Sequence, residues 1–466
     1  MDMDTRLAVP VVQYETRVLA GLLAGASVVT VDFFAVLAAL PLLQRELAAT
    51  PGQLQLIMAG YAVVMACFLI TGGSLGDAWG RRRVFVAGLT LFALGGLGCS
   101  LAGSAVTIIA LRLLQGLGGA LLQPQVLGLL TVSFDVSRRS QVFGTYATTL
   151  AASAVAAQLV GGALVQWLPQ DLGWRLCFVL TVPLCMAAAW LTGVLTDAPV
   201  DRRPRIDLVG ILMLAGALGS LSAALTLGRD QGWPHWSWVA VAAGVVCLLL
   251  MVWWQRGGVL HAAPRLIPPG LLGANRFTLA VTGVLVFYAG VASFYLVLAL
   301  SLRASGYFTP AAVGLVFGML AVAVAMTSSS PRVRARVGER WLGWGACLLA
   351  AGHLGWLGSL ALGEPVALVI GVLAAALVQG AGLGLLMGPL TAYAVSQLQP
   401  RQASVGSGVA STMQQIGNSL GVVLVGLVYF DAAGVGHDLP AAVAYLVLTL
   451  AVLWVLVRGA ARLRRR

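Results

Sequence analysis

The chain contains no lysine, and only 9% of its 466 residues are charged. A soluble domain carries about 25%, so an ordinary hydrated surface is excluded. Without lysine there is no phosphate-binding loop of the form GxxxxGK[ST], which argues against ATP-driven work. The six cysteines (Cys67, Cys99, Cys177, Cys185, Cys247 and Cys347) form no CxxC pair and all lie in apolar runs. They read as small buried hydrophobes, with no disulfide frame and no metal site. No loop is long enough for a soluble domain. No cluster of acids and histidines gathers at one membrane face, as a lipid-modifying enzyme would require. Neither a metal nor a cofactor is expected, and the chain is not expected to be an enzyme. The net charge of +12 would suggest nucleic acid in a soluble protein. Here the arginines lie in short connections between apolar stretches, where they set topology, so no nucleic-acid partner is expected.

What the chain has is hydrophobicity: 59% of residues are hydrophobic and the mean hydropathy is +0.93. A helix needs about 20 apolar residues to cross a bilayer. Runs of that length occur near 18–43, 54–75, 84–103, 105–133, 142–168, 175–196, 208–228, 237–254, 278–302, 309–330, 342–362, 366–398, 408–430 and 441–458. The fold class expected is therefore an all-α membrane protein with 14 transmembrane helices. With an inside start, only Arg45, Arg175, Arg229 and Arg303 fall on the outer side, and Arg112 within a span. That segregation places both termini in the cytoplasm and the chain in the inner membrane. Residues 1–17 read as an uncleaved cytoplasmic tail. Two longer connections, 197–207 and 255–277, bracket the seventh and eighth spans. The division expected is a six-helix bundle over 1–196, two inserted linker helices over 197–260 and a second six-helix bundle over 261–466. Gln115-Gly116-Leu117-Gly118 recurs as Gln379-Gly380-Ala381-Gly382, which supports a parallel repeat. Arg81-Arg82 after Gly80 has a weaker echo in Glu339-Arg340 after Gly338, with Ala335 in the place of Asp77.

Asp32 is the only acid deep in a span. A charge at a helix centre costs about 2.5–3.5 kcal/mol on insertion scales, so it is a functional candidate by default. Arg112 is the second buried charge and needs an acceptor, for which Asp32 or carbonyls of the first span are available. Arg112 and Gln115, three apart, share a helix face. Between the second and third spans lies the tight basic turn Gly72-Gly73-Ser74-Leu75-Gly76-Asp77-Ala78-Trp79-Gly80-Arg81-Arg82-Arg83. Its glycines suit close helix approach. Asp135, at the end of the fourth span, is a candidate partner for Arg81. His353 among Ala, Gly, Leu and Trp reads as a hydrogen-bonded packing residue rather than a titrating one.

The spacing Gly73-x-Leu75-x-Asp77-x-x-Gly80-Arg81-Arg82 resembles the loop between helices 2 and 3 of the major facilitator superfamily of transporters. Asp32-x-x-x-Val36-x-x-Ala39-Leu40-Pro41 resembles the first-helix signature of its fourteen-helix drug:proton antiporters, with Phe34 and Leu37 in place of the usual Thr and Asn. Arg112-x-x-Gln115-Gly116-x-Gly118 is similar to the fourth-helix pattern, and Thr412 through Gly421 resembles the same branch. In the fifth span Gly161-Gly162 remain, but Ala157-Gln158 replaces the usual Gly-Pro. The resemblance implies two bundles that alternate access to a midplane site. The function it implies is export of small lipophilic compounds, cationic ones included, in exchange for protons. Asp32, Arg112 and Gln115 would couple the proton, while Gly73, Asp77, Gly80, Arg81, Arg82 and Asp135 would form the cytoplasmic gate. Candidate cavity residues are Phe33, Gln158, Tyr288, Tyr295, Gln379, Met387, Gln414, Gln415 and Asn418. The proton gradient would be the energy source, and the partners would be protons, a small-molecule substrate and the bilayer, with the chain a monomer. The alternatives are a coupled or facilitative transporter of one metabolite, or a transport-fold sensor.

Overall fold

The computed structural model describes residues 11–195, 206–256, 275–330, 333, 336–360, 365–398, 403–430 and 438–463. Among them the fold is helical. In order come α1 (Val11–Glu46), α2 (Pro51–Trp79), α3 (Arg81–Leu101), α4 (Ala105–Ser133), α5 (Val136–Trp167), α6 (Gln170–Val179), α7 (Thr181–Leu191), α8 (Leu208–Asp230) and α9 (His235–Arg256). After them follow α10 (Asn275–Ala304), α11 (Pro310–Ser329), α12 (Trp341–Leu360), α13 (Pro365–Val395), α14 (Ala403–Tyr429) and α15 (Leu439–Leu463). Helices α6 and α7 make one broken span; the break at Leu180 lies three residues before Pro183, which cannot donate a backbone bond. Twelve of the described helices, this broken one included, are long and apolar enough to cross a membrane. Helices α12 and α14 have the length but lower hydropathy, diluted by Gly, Trp and His353 in α12 and by Ser, Thr and Gln in α14.

The short turns follow from the residues at the helix ends. Thr50 and Gln53 form a capping box ahead of Pro51 at the start of α2. Ser104, Asp207 and Thr309 cap α4, α8 and α11 through their side chains. Gly80 is the entire connection between α2 and α3, with φ at +99°, a region most residues avoid. These turns define two ends of the bundle, the Gly80 end and the end carrying residues 47–50.

The internal repeat is visible in the packing. Helix α4 lies on α2 and α3, and α13 lies on α11 and α12. A Cβ on Gly118 would stand 2.7 Å from the Phe92 nitrogen and 2.8 Å from the Gly88 carbonyl oxygen. A Cβ on Gly382 would stand 2.9 Å from the Leu349 nitrogen and 3.0 Å from the Gly345 oxygen. The two glycines thus serve the same close helix crossing twice.

Helices α8 and α9 pair with each other, and α8 sits where α2 and α14 meet. Val239, Leu249 and Trp253 of α9 are exposed, facing away from the bundle. The boundaries proposed at 196/197 and 260/261, the 197–205 connection and Ala335 lie outside the described residues. Of the cysteines, Cys67, Cys99, Cys177 and Cys185 are buried, as expected, but Cys247 is half-buried and Cys347 is exposed. An apolar run in a membrane has lipid-facing positions as well as core ones, so burial does not follow from sequence there.

Candidate functional site

Asp32 and Arg112 meet. Their side chains, on α1 and α4, are both 0% exposed, and Arg112 Nη1 donates to Asp32 Oδ2. Gln115 Nε2 donates to the other carboxylate oxygen at 3.2 Å, while Gln115 Oε1 accepts from Arg112 Nη1 at 2.9 Å. Arg112 Nε donates to the Ile57 carbonyl of α2 at 3.0 Å. The guanidinium carbon lies 4.5 Å from the centre of the Tyr61 ring, and Nη2 makes no hydrogen bond among the described residues. A cation over an aromatic face is stabilised there without a hydrogen bond. Both carboxylate oxygens act as acceptors. Removing either member would leave the other a buried charge without its counter-charge.

At the Gly80 end, Arg81 Nη2 bonds Asp77 Oδ1 at 2.8 Å. An acid in the last turn of α2 opposes that helix dipole, and Arg81 offsets it one turn later. The expected Arg81–Asp135 pair is not formed among the described residues. Asp135 is exposed at the start of α5, without a side-chain capping bond, while Arg81 is turned over Gly128 of α4 to reach Asp77. Arg82 Nε donates to the Thr192 carbonyl at 3.1 Å, at the end of α7. The close approach of α2 to α4 falls on Gly72 and Gly76 rather than Gly73. Gln125 Nε2 donates to the Gly72 carbonyl at 2.7 Å, whereas a Cβ on Gly73 would make only an ordinary 3.7 Å contact with Pro124.

The expected cavity residues divide. Phe33 and Tyr295 do come together, 6.3 Å between ring centres, in a cluster with Phe34, Phe294 and Phe317 between α1, α10 and α11. Tyr288 is buried against Phe287, and Met387 and Gln414 are half-buried. Gln158 is fully buried, and neither polar atom of its side chain has a hydrogen-bond partner among the described residues. It lines a cavity of about 400 Å³ with Leu37, Arg45, Gln166 and Arg303, toward the 47–50 end. Gln379 is buried within its own half, 2.9 Å from His353 Nδ1, as Gln115 is turned inward in the first. Gln415 and Asn418 bond one another at 2.8 Å, and Gln415 also reaches Met65 Sδ of α2 at 2.7 Å.

The helices on either side of the α8–α9 pair are tied together toward the 47–50 end. Gln55 Nε2 donates to the Val422 carbonyl at 3.3 Å, Ser419 Oγ to Ala59 at 3.3 Å, and the Ala311 amide to Gln166 Oε1 at 3.0 Å. Arg229 donates to the Gly426 carbonyl and pairs with Asp230, whose other oxygen accepts from the Gly52 amide at 2.8 Å. The last residues of α8 therefore grip α2 and α14 at once.

Residues 22–209 match the family model described as Major Facilitator Superfamily. The chain is 31% identical to the "Probable actinorhodin transporter" of Streptomyces coelicolor, over 85% of this chain and 69% of that protein. It is 30% identical to the "Methylenomycin A resistance protein" of the same organism, over 92% of this chain and 88% of the relative. The chain belongs to the major facilitator superfamily. It is a multi-pass membrane transporter and not an enzyme. Among solved structures, the partially occluded inward-open xylose transporter XylE of E. coli superimposes with a TM-score of 0.64, covering 95% of this chain and 97% of that one. At 13% identity this likeness concerns the fold alone.

Several parts of this transporter's site were not anticipated from the sequence. The Ile57 carbonyl and Tyr61 ring around Arg112 sit on an otherwise apolar helix with no motif to mark them. Arg229 stood out only as one of the outer-side arginines, and nothing in the sequence marked Asp230. The residue type did announce Gln379, but its partner His353 could be found only from the rotation of two helices.

Proposed function

We propose that the chain exports small lipophilic compounds from the cell in exchange for protons, with Asp32 as the group that takes up the proton. The observation that carries this reading is the fully buried Asp32–Arg112–Gln115 assembly, which joins α1, α2 and α4 at membrane depth. A coupled exchanger needs a group whose charge changes during its cycle, and a pair that parts on protonation links that change to helix movement. Relatives named for antibiotic transport and resistance support export as the direction. In this reading there are fourteen spans with both termini cytoplasmic, the proton gradient replaces any cofactor, and the chain works as a monomer. The Gly80 end is cytoplasmic, and the hydrogen bonds toward the 47–50 end hold the two sets of helices together there. The aromatic cluster around Phe33 and Tyr295, together with the unpartnered amide of Gln158, supplies the substrate surface.

The test is accumulation of a fluorescent lipophilic cation by proteoliposomes under an imposed pH gradient. The parent protein is expected to concentrate the dye and to bind it more weakly as pH falls. Asp32→Asn is expected to abolish accumulation while retaining pH-independent binding. Proton-driven accumulation by Asp32→Asn would refute the coupling role. Movement that ignores the gradient in the parent would favour a facilitative transporter.

A further inference from the structure

At the Gly80 end, the start of α12 and the last turns of α15 border a groove of about 720 Å³. Three arginines line it: Arg340 in the turn before α12, and Arg458 and Arg462 one turn apart on α15. All three are exposed, and none forms an ion pair with an acid among the described residues. Arg458 lies 4.3 Å over the ring of Trp454. Trp344 and Trp454 are 55% and 39% exposed, so the groove is open on its indole side. Its floor is apolar, formed in part by buried Leu342 and Val457.

The corresponding junction in the first half is closed. There Arg82, at the start of α3, donates to the Thr192 carbonyl at the end of α7. In the second half the basic residue before the helix lines one groove with two more arginines instead. Like charges around one groove repel unless an anion lies among them. We infer that this groove binds a phospholipid with a net negative headgroup. Its phosphate is held by Arg340, Arg458 and Arg462, and its glycerol and upper acyl chain lie against Trp344 and Trp454. Guanidinium groups match phosphate oxygens in pairs, and indoles favour the headgroup level of a bilayer. Basic pockets between membrane helices bind anionic headgroups on these terms. A free anion would use the arginines but neither the apolar floor nor the exposed tryptophans.

Cys347 lines the same groove and is exposed, so the unaltered protein carries its own reporter. The full chain, stripped of lipid in detergent, is titrated with phosphatidylglycerol, phosphatidylcholine of the same acyl chains, or inorganic phosphate. Alkylation of Cys347 by a maleimide is followed, with Cys347→Ser as the blank, and lipid adducts are counted by native mass spectrometry. Phosphatidylglycerol is expected to slow alkylation and leave one retained adduct, and phosphatidylcholine to do neither. The variant Arg340→Gln/Arg458→Gln/Arg462→Gln is expected to bind phosphatidylglycerol about a hundredfold more weakly, about fivefold for each arginine. Equal protection by phosphatidylcholine would overturn the inference, as would displacement of the lipid by inorganic phosphate. Unchanged protection in the triple variant would overturn it too. Should that variant not fold, protection of Cys347 in the unaltered chain still decides between the two lipids.

Discussion

Two ion pairs of this transporter stand at opposite limits of burial, and their variants should behave accordingly. Asp32 and Arg112 are 0% exposed, so removing one partner strands the other charge in a medium that cannot solvate it. Asp32→Asn is expected to cost about 3–5 kcal/mol of stability. The double variant Asp32→Leu/Arg112→Met removes both charges and is expected to recover most of that loss while transporting nothing. Thermal unfolding in detergent, beside proteoliposome uptake, measures both; a double variant as unstable as the single one would contradict the argument. Asp77 and Arg81 are 65% and 35% exposed and differ in kind. A pair in contact with water contributes about 0–1 kcal/mol, so Asp77→Asn should fold normally. It is expected to slow turnover yet leave substrate binding intact, because the turn at Gly80 is remote from Asp32. Unchanged turnover would remove Asp77 from the gate.

At the scale of the helices, the repeated glycines give a matched pair of tests. Gly118 and Gly382 each let one helix lie on the backbone of the next, with no room for a branched side chain. Gly118→Val and Gly382→Val are each expected to destabilise by about 1–3 kcal/mol through overpacking, read as a lowered unfolding midpoint. A large effect at one position and none at the other would mean that the two crossings are not equivalent. This repeat was legible in the sequence because Gln-Gly-x-Gly marks it in both α4 and α13. The sixth span was legible as a hydrophobic run, but its division into α6 and α7 shows only in the structure, where Pro183 breaks the helix.

Over the whole molecule, several ties between the two sets of helices lie toward the 47–50 end, where Gln166 meets Ala311 and α8 grips both α2 and α14. An exchanger that alternates must open these contacts once in each cycle. A disulfide across Gln166→Cys/Ala311→Cys is therefore expected to stop transport, and a reductant to restore it. Full transport with the cross-link intact would exclude rocking at this end. The sequence by itself determined the apolar runs, a tight basic turn between the second and third spans, and the need of buried Arg112 for an acceptor; the structure chose Asp32 over the carbonyls of the first span and narrowed the turn to Gly80. The reasons are general: a bilayer demands about 20 apolar residues for each helix, and a charge at depth demands a partner. It could not say that Arg81 turns to Asp77 instead of Asp135, that Gln379 turns to His353, or that Gln158 stays unpartnered. In a soluble helix the apolar stripe reveals which side faces the core. These helices are apolar on their lipid side as well, so their rotation is set by the fit of small residues and hydrogen bonds between neighbours, which exists only once the bundle has assembled.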